Sequence, residues 1–188
     1  HAVTVRVTDR GGLTYDETFT INLTNVNEAP SGTNATVTIT EDTAHVLTAA
    51  NFGFSDVDAG DALSAVRIDT LPTAGTLTLS GTAVTAGQVI TTADLAAGQL
   101  VFTPAANANG TGYARVAFSV RDSTSLYDPT PNTLTVNVTA VNDRPTDLSL
   151  SANTVAEHAA NGTVVGTVTG SDPDAGDTKS YSLTNTAG

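Results

Sequence analysis

Apolar and polar residues alternate with a period of two along most of the chain. Ala2-Val3-Thr4-Val5-Arg6-Val7, Phe19-Thr20-Ile21-Asn22-Leu23-Thr24, Thr36-Val37-Thr38-Ile39-Thr40 and Thr76-Leu77-Thr78-Leu79 all show it. So do Val116-Ala117-Phe118-Ser119-Val120, Leu134-Thr135-Val136-Asn137-Val138 and Val164-Val165-Gly166-Thr167-Val168. Successive side chains of a strand point to opposite faces, so each run reads as a strand with one buried face. The segments between them are rich in Gly, Asn, Asp and Pro, which predicts an all-β, antiparallel sandwich. Ser80-Gly81-Thr82 and Ala86-Gly87 are expected to form hairpin turns. One helical turn is expected at Thr92–Ala97, with Thr92 as N-cap and Gly98 just past its end.

An internal repeat organises these strands. Asn25-Val26-Asn27-Glu28-Ala29-Pro30 returns as Ala140-Val141-Asn142-Asp143-Arg144-Pro145, an offset of 115 residues (142 − 27). Ser55-Asp56-Val57-Asp58-Ala59-Gly60-Asp61 returns as Ser171-Asp172-Pro173-Asp174-Ala175-Gly176-Asp177 at offset 116 (172 − 56). Thr40-Glu41-Asp42 is echoed by Ala156-Glu157-His158, and Val7-Thr8-Asp9 answers Val120-Arg121-Asp122. Four landmarks in one order divide the chain into the last strands of one repeat (residues 1–30), a complete repeat (31–145) and the first strands of another (146–188). A unit of this length buries its own core, so the repeats are expected as beads in tandem. The flanking segments are expected to supply two strands and three strands. Their open edges suit a strand-completing self-association between molecules.

The composition narrows the chemistry. Thr accounts for 35 of 188 residues, Cys, Met and Trp are absent, and the net charge is −12. Without cysteine, disulfide frameworks, Cys-ligated zinc and thiol catalysis are excluded. The negative charge argues against nucleic acid, and no apolar run approaches the roughly 18 residues that a membrane span requires. The chain starts at His1 with no methionine or leader, and is expected to be a piece of a longer protein.

A cation is the partner this charge does suit. In a sandwich, the entering linker and the loops between strands meet at one end. Asn27, Glu28, Asp56, Asp58 and Asp122 are therefore expected together at the head of the complete repeat. Crowded carboxylates repel one another unless a cation sits among them. An all-oxygen donor set suits Ca²⁺, and the scarcity of His disfavours softer metals.

Asn27-Glu28-Ala29-Pro30, Glu41, Asp56-Val57-Asp58 and Asp122 resemble the calcium-binding landmarks of cadherin repeats. The stretches Gly75–Leu79 and Leu100–Thr111 are similar to the cadherin-like (VCBS-type) tandem repeats of large secreted bacterial adhesins, many of them of RTX type. The resemblance implies a Greek-key β-sandwich of immunoglobulin or cadherin type, in tandem, with Ca²⁺ at the inter-repeat linkers. At the first linker it implies an ion held by the Asn27 side chain, the Ala29 carbonyl, Asp56, Asp58 and Asp122, with Glu28 facing ions shared with the preceding repeat. At the second it implies Glu41 and Asp143 on one side, and Asn142, the Arg144 carbonyl, Asp172 and Asp174 on the other. Asn25 and Ala140 stand where cadherins usually carry an acidic residue, and the Asp-Arg-Glu element is missing, with only Asn107 and Asn109 near its place. One or two ions per linker are expected rather than three.

The resemblance further implies an extender segment of an adhesin on the bacterial cell surface, whose partners are neighbouring repeats of its own chain. No enzyme is expected: there is no Gly-x-Ser-x-Gly elbow, and two carboxylates two residues apart in a polar loop lack the apolar pocket that makes a general acid. His45 and His158 read as surface residues. Two other readings are a glycan- or peptide-binding module, for which Tyr15, Tyr113 and Tyr127 would need to form a patch, and an accessory segment of a multidomain secreted enzyme.

Overall fold

A computed structural model describes residues 1–184. The strands are β1 (Ala2–Thr8), β2 (Thr14–Thr20), β3 (Ala35–Thr40), β4 (His45–Val46), β5 (Ala65–Thr70), β6 (Thr76–Leu79), β7 (Thr82–Ala83) and β8 (Val89–Thr91). After one short helix, α1 (Thr92–Ala96), come β9 (Leu100–Thr103), β10 (Gly110–Arg121), β11 (Asn132–Thr139), β12 (Asp147–Leu150) and β13 (Val168–Ser171). The all-β expectation holds.

Two sheets make the central sandwich, a five-stranded one in the order β3-β11-β10-β5-β8 and a four-stranded one in the order β4-β9-β6-β7. Alternation in β10 and β11 turns Ala114, Val116, Phe118 and Val120, and Leu134, Val136 and Val138, into the interior. Leu77, Leu100 and Phe102 of the opposite sheet meet them, with Phe52 packed edge-to-face on Phe118 at 5.0 Å between ring centroids. Every residue of this core lies between Ile39 and Val138. The pairing is antiparallel except at one place, where β3 runs parallel to β11. That pairing joins the first and last strands of the sandwich. It also sends the ends of β3 and β11 to one pole and the start of β3, with the end of β10, to the other.

The turns decide several details. Ser80 and Gly81, at φ 51° and 78°, form the two-residue turn between β6 and β7, where positive φ matches the twist of a tight hairpin. Ala86-Gly87 does not close a hairpin: β7 pairs in the four-stranded sheet and β8 in the five-stranded one, so this turn carries the chain between layers. The helix N-cap is Thr91 rather than Thr92, because the Thr91 hydroxyl accepts from the backbone N–H of Asp94 while the Asp94 carboxylate accepts in return. Gly98 follows the helix at φ 68°, as expected.

The flanking segments are simpler. The β1–β2 pair forms one two-stranded sheet and β12–β13 another. Residues 21–24 and 164–167 keep the alternating pattern but enter no ladder, so the expected strands Phe19–Thr24 and Val164–Val168 are displaced to Thr14–Thr20 and Val168–Ser171. Among the described residues, 146–184 supplies two strands, not three. A pattern gives a strand its two faces, whereas a ladder also requires a neighbour on its edge.

Candidate metal centre

The first linker crosses the head of the sandwich, where Asp122 follows β10 and the Asp56–Asp61 loop precedes β5. Gly60, at φ 100°, turns that loop back so that the Asp61 N–H donates to the Asp58 carbonyl at 3.2 Å. Oxygens of Asp56, Asp58 and Asp61 thereby come within 4.8 Å of one another. The linker is tied to the loop: the Glu28 N–H donates to Asp58 Oδ2 at 2.8 Å and Asn25 Nδ2 to Asp58 Oδ1 at 2.6 Å. Asn27 Nδ2 donates to the Glu28 carbonyl and to Asp122 Oδ2, both at 3.0 Å, which leaves its amide oxygen as the atom able to ligate. Below this, buried Asp128 accepts from the Gly32 N–H at 2.6 Å and from Asn132 Nδ2 at 2.8 Å, fixing the point where the linker enters the repeat.

The second linker repeats three of these bonds, though not those that Asn25 and Asp122 make. Asp174 N–H donates to Asp172 Oδ1 at 3.0 Å, as Asp58 N–H does to Asp56 Oδ1 at 2.9 Å. Asp143 N–H donates to Asp174 Oδ2 at 2.6 Å, matching Glu28, and Asn142 Nδ2 donates to the Asp143 carbonyl at 3.0 Å, matching Asn27. From the complete repeat comes Glu41, 2% exposed, whose Oε1 accepts from the Val141 N–H at 2.7 Å and Oε2 from Asn109 Nδ2 at 2.9 Å. Two oxygen groups result, Glu41 with Asp143 and Asp174, and Asp172 with Asp174 and Asp177, each within 4.8 Å.

The structure thus places Asp56 with Asp58, Glu41 with Asp143 and Asp174, and Asp172 with Asp174. Asp122 stands beside the first group but outside it, its oxygens engaged by Asn27 and by the Leu126 N–H at 2.8 Å. The Glu28 carboxyl lies against Asp58 without joining a three-carboxylate group. Ala29 and Arg144 are exposed, each just before its proline, and Asn142 is exposed beside Asp143. Asp61 and Asp177 are additions: the recurring Asp-x-Asp-x-Gly-Asp spacing already pointed to them. Asn25 as a donor to Asp58 is also new, since the pairing depends on a contact 33 residues apart.

Charge is unevenly settled. Loss of surrounding water, with Asp58 and Asp56 alongside, holds the Glu28 carboxyl above its ordinary range. Loss of water, with Asp42, Asp174, Glu41 and Asp172 around it, does the same to Asp143. The Glu28 N–H, then the Asn25 amide, draw Asp58 below its range. Burial alone would raise Asp122, but hydrogen bonds from Asn27, Leu126 and Thr124 outweigh it and hold Asp122 low. Raised carboxyls cost stability while ionised and recover it as pH falls through their raised values. Lowered ones stabilise above the ordinary carboxylate pKa of about 4 and lose that contribution below it. In metal-free buffer the melting temperature is therefore expected to hold or rise from pH 7 to about 5 and to fall below about 4. Scanning calorimetry across that range checks both signs; a monotonic fall from pH 7 would contradict the crowding.

Two carboxylate oxygens, Asp56 Oδ2 at the first linker and Asp143 Oδ2 at the second, are buried with no hydrogen-bond partner among the described residues. A buried anionic oxygen without a donor is costly, and here it sits among further carboxylates. An oxygen-only donor set with unmet negative charge fits a hard divalent cation such as Ca²⁺. The three tyrosines of the glycan reading have separate surroundings: Tyr15 bonds Glu17 on β2, Tyr113 packs edge-to-face on Phe102, and Tyr127 lies under Arg67 at 4.6 Å.

The family model of the cadherin-like domain matches residues 26–139, from the first linker to the end of β11. A search of curated proteins found no match. No helix among the described residues is long and apolar enough to cross a membrane. The sandwich and the matched span, which covers more than half of the chain, agree: this chain belongs to the cadherin-like domain family, an adhesion-type β-sandwich module.

Proposed function

We propose that the protein is a calcium-rigidified extender segment of a large bacterial surface adhesin, and that its work is mechanical. The observation that carries this reading is the pair of buried, unpartnered carboxylate oxygens, one at each linker. Asp56, Asp58 and Asp61, with the Asn27 amide oxygen and the Ala29 carbonyl, would hold an ion at the first linker. Glu41, Asp143 and Asp174, then Asp172 and Asp177 with Asn142 and the Arg144 carbonyl, would do so at the second. Bound Ca²⁺ supplies the positive charge that lets these carboxylates stay together.

The chain's own residues do the rest. Glu41 belongs to the complete repeat, Asp143 to the linker and Asp174 to the segment beyond, so their meeting fixes the angle between neighbours. Without a cation the same three carboxylates repel, and a short linker is free to swing. A stalk stays extended when each joint is clamped in this way.

Small-angle scattering on the monomeric fraction, in saturating calcium and in chelator, tests this reading. The expected result is a longer maximum dimension and a narrower pair-distance distribution with calcium. Superimposable curves would sink the mechanical reading.

A further inference from the structure

The two linkers differ at their first position, which is Asn25 in one and Ala140 in the other, an offset of 115 residues (140 − 25). At the first linker, Asn25 Nδ2 donates to Asp58 Oδ1 at 2.6 Å while the Glu28 N–H donates to Asp58 Oδ2 at 2.8 Å. Both oxygens of Asp58 are thereby matched by a donor. At the second, Asp174 Oδ2 accepts from the Asp143 N–H at 2.6 Å, but the alanine methyl has no donor to offer Oδ1, which accepts no hydrogen bond among the described residues.

The two donors to Asp58 are not alike. The Glu28 N–H belongs to the linker backbone and leaves only if the linker moves. Asn25 is exposed and outside the core, and its amide turns on side-chain torsions, so its bond can open without disturbing the sandwich. A primary amide carries hydrogens at one end and a carbonyl oxygen at the other, and beside a carboxylate the hydrogens face it. A cation drawn to Asp56, Asp58 and Asp61 meets those hydrogens as the positive end of a dipole. Asp58 Oδ1 also comes to the cation with part of its charge already matched. Without an ion the same bond stabilises, because it relieves a carboxylate crowded by Asp56 and Asp61.

We propose that Asn25 is a cap on the first cation site: it stabilises the metal-free linker and raises the calcium concentration at which that linker closes. This rests on the calcium reading of the linkers, and it gives Asn25 a role opposite to that of a ligand. The second linker, with Ala140, has no such cap.

Calcium titration calorimetry on the full chain tests this one linker at a time. With the second linker silenced by Asp172→Asn/Asp174→Asn, Asn25→Ala is expected to bind calcium roughly three- to tenfold more tightly, the reach of one hydrogen bond. Its metal-free melting temperature is expected to fall, because Asp58 loses a donor. In proton–nitrogen correlation spectra the Asn25 side-chain amide is expected to shift toward the position of a free amide as calcium is added. The reciprocal change, Ala140→Asn with Asp56→Asn/Asp58→Asn in place, is expected to weaken binding at the second linker by a similar factor. Weaker binding by Asn25→Ala would make Asn25 a ligand and overturn the cap, and so would binding unchanged by either substitution. Absence of calcium binding to the chain carrying Asp172→Asn/Asp174→Asn alone would instead overturn the calcium reading of the first linker, and the cap with it.

Discussion

Calcium at a hundredfold excess over its dissociation constant is expected to raise the melting temperature of the complete repeat by on the order of 10 °C. Ligand binding to the native state alone stabilises by about 2.7 kcal/mol at that excess, and a domain of about 100 residues shifts by several degrees per kcal/mol. Asp56→Asn/Asp58→Asn is expected to remove the part of the shift that comes from the first linker. Asparagine at 56 still accepts from the Asp58 N–H, whereas at 58 its single amide oxygen keeps one of the bonds from Asn25 and Glu28 and its NH2 group meets the other donor. The metal-free melting temperature is therefore expected to fall, and the calcium shift is read against each variant's own metal-free value. Because Glu41 ties the second linker to the same repeat, the remaining shift should vanish only when Asp172→Asn/Asp174→Asn is added. A full calcium shift in the fourfold variant would mean that the ion binds elsewhere.

The largest effect on stability that does not depend on metal is expected at the ring pair in the core. Phe118 is fully buried on β10, and Phe52, equally buried, meets its edge from the loop that leads into the Asp56–Asp61 turn. Phe118→Ala removes a large apolar side chain and leaves a cavity between rigid sheets. Comparable substitutions cost about 3–5 kcal/mol, against a total stability of about 5–15 kcal/mol for a domain. Urea unfolding should show that loss, with calcium binding at the first linker weakened in step, since Phe52 stands four residues before Asp56. A loss below about 1 kcal/mol would mean that the core closes over the gap.

Much of this was legible in the chain. Strict alternation marked β1, β3, β6, β10 and β11, because a strand with one buried face writes its period directly into the sequence. The repeat offset marked both linkers and the Asp-x-Asp loops, and the fold brings these together through matching hydrogen bonds at the two sites. What the chain did not disclose depends on partners in space. The parallel seat of β3 on β11, the Asn25–Asp58 bond, and Asp128 holding Gly32 across 96 residues all come from tertiary contact. Residues 21–24 and 164–167 carry a strand's pattern with no strand beside them, which is why the pattern overcalled them. Asp122, expected as a ligand from its place at a strand end, lies beside the first group, and its bond from Asn27 spans 95 residues.

Calcium titration calorimetry on the intact chain at neutral pH tests the central claim most directly. Saturable binding of about one or two ions per linker is expected, with Asp56→Asn/Asp58→Asn removing one group of sites and Asp172→Asn/Asp174→Asn the other. Absence of saturable binding to the wild-type chain, or isotherms unchanged by both pairs of substitutions, would contradict it, leaving these carboxylates as turn chemistry at the ends of a sandwich.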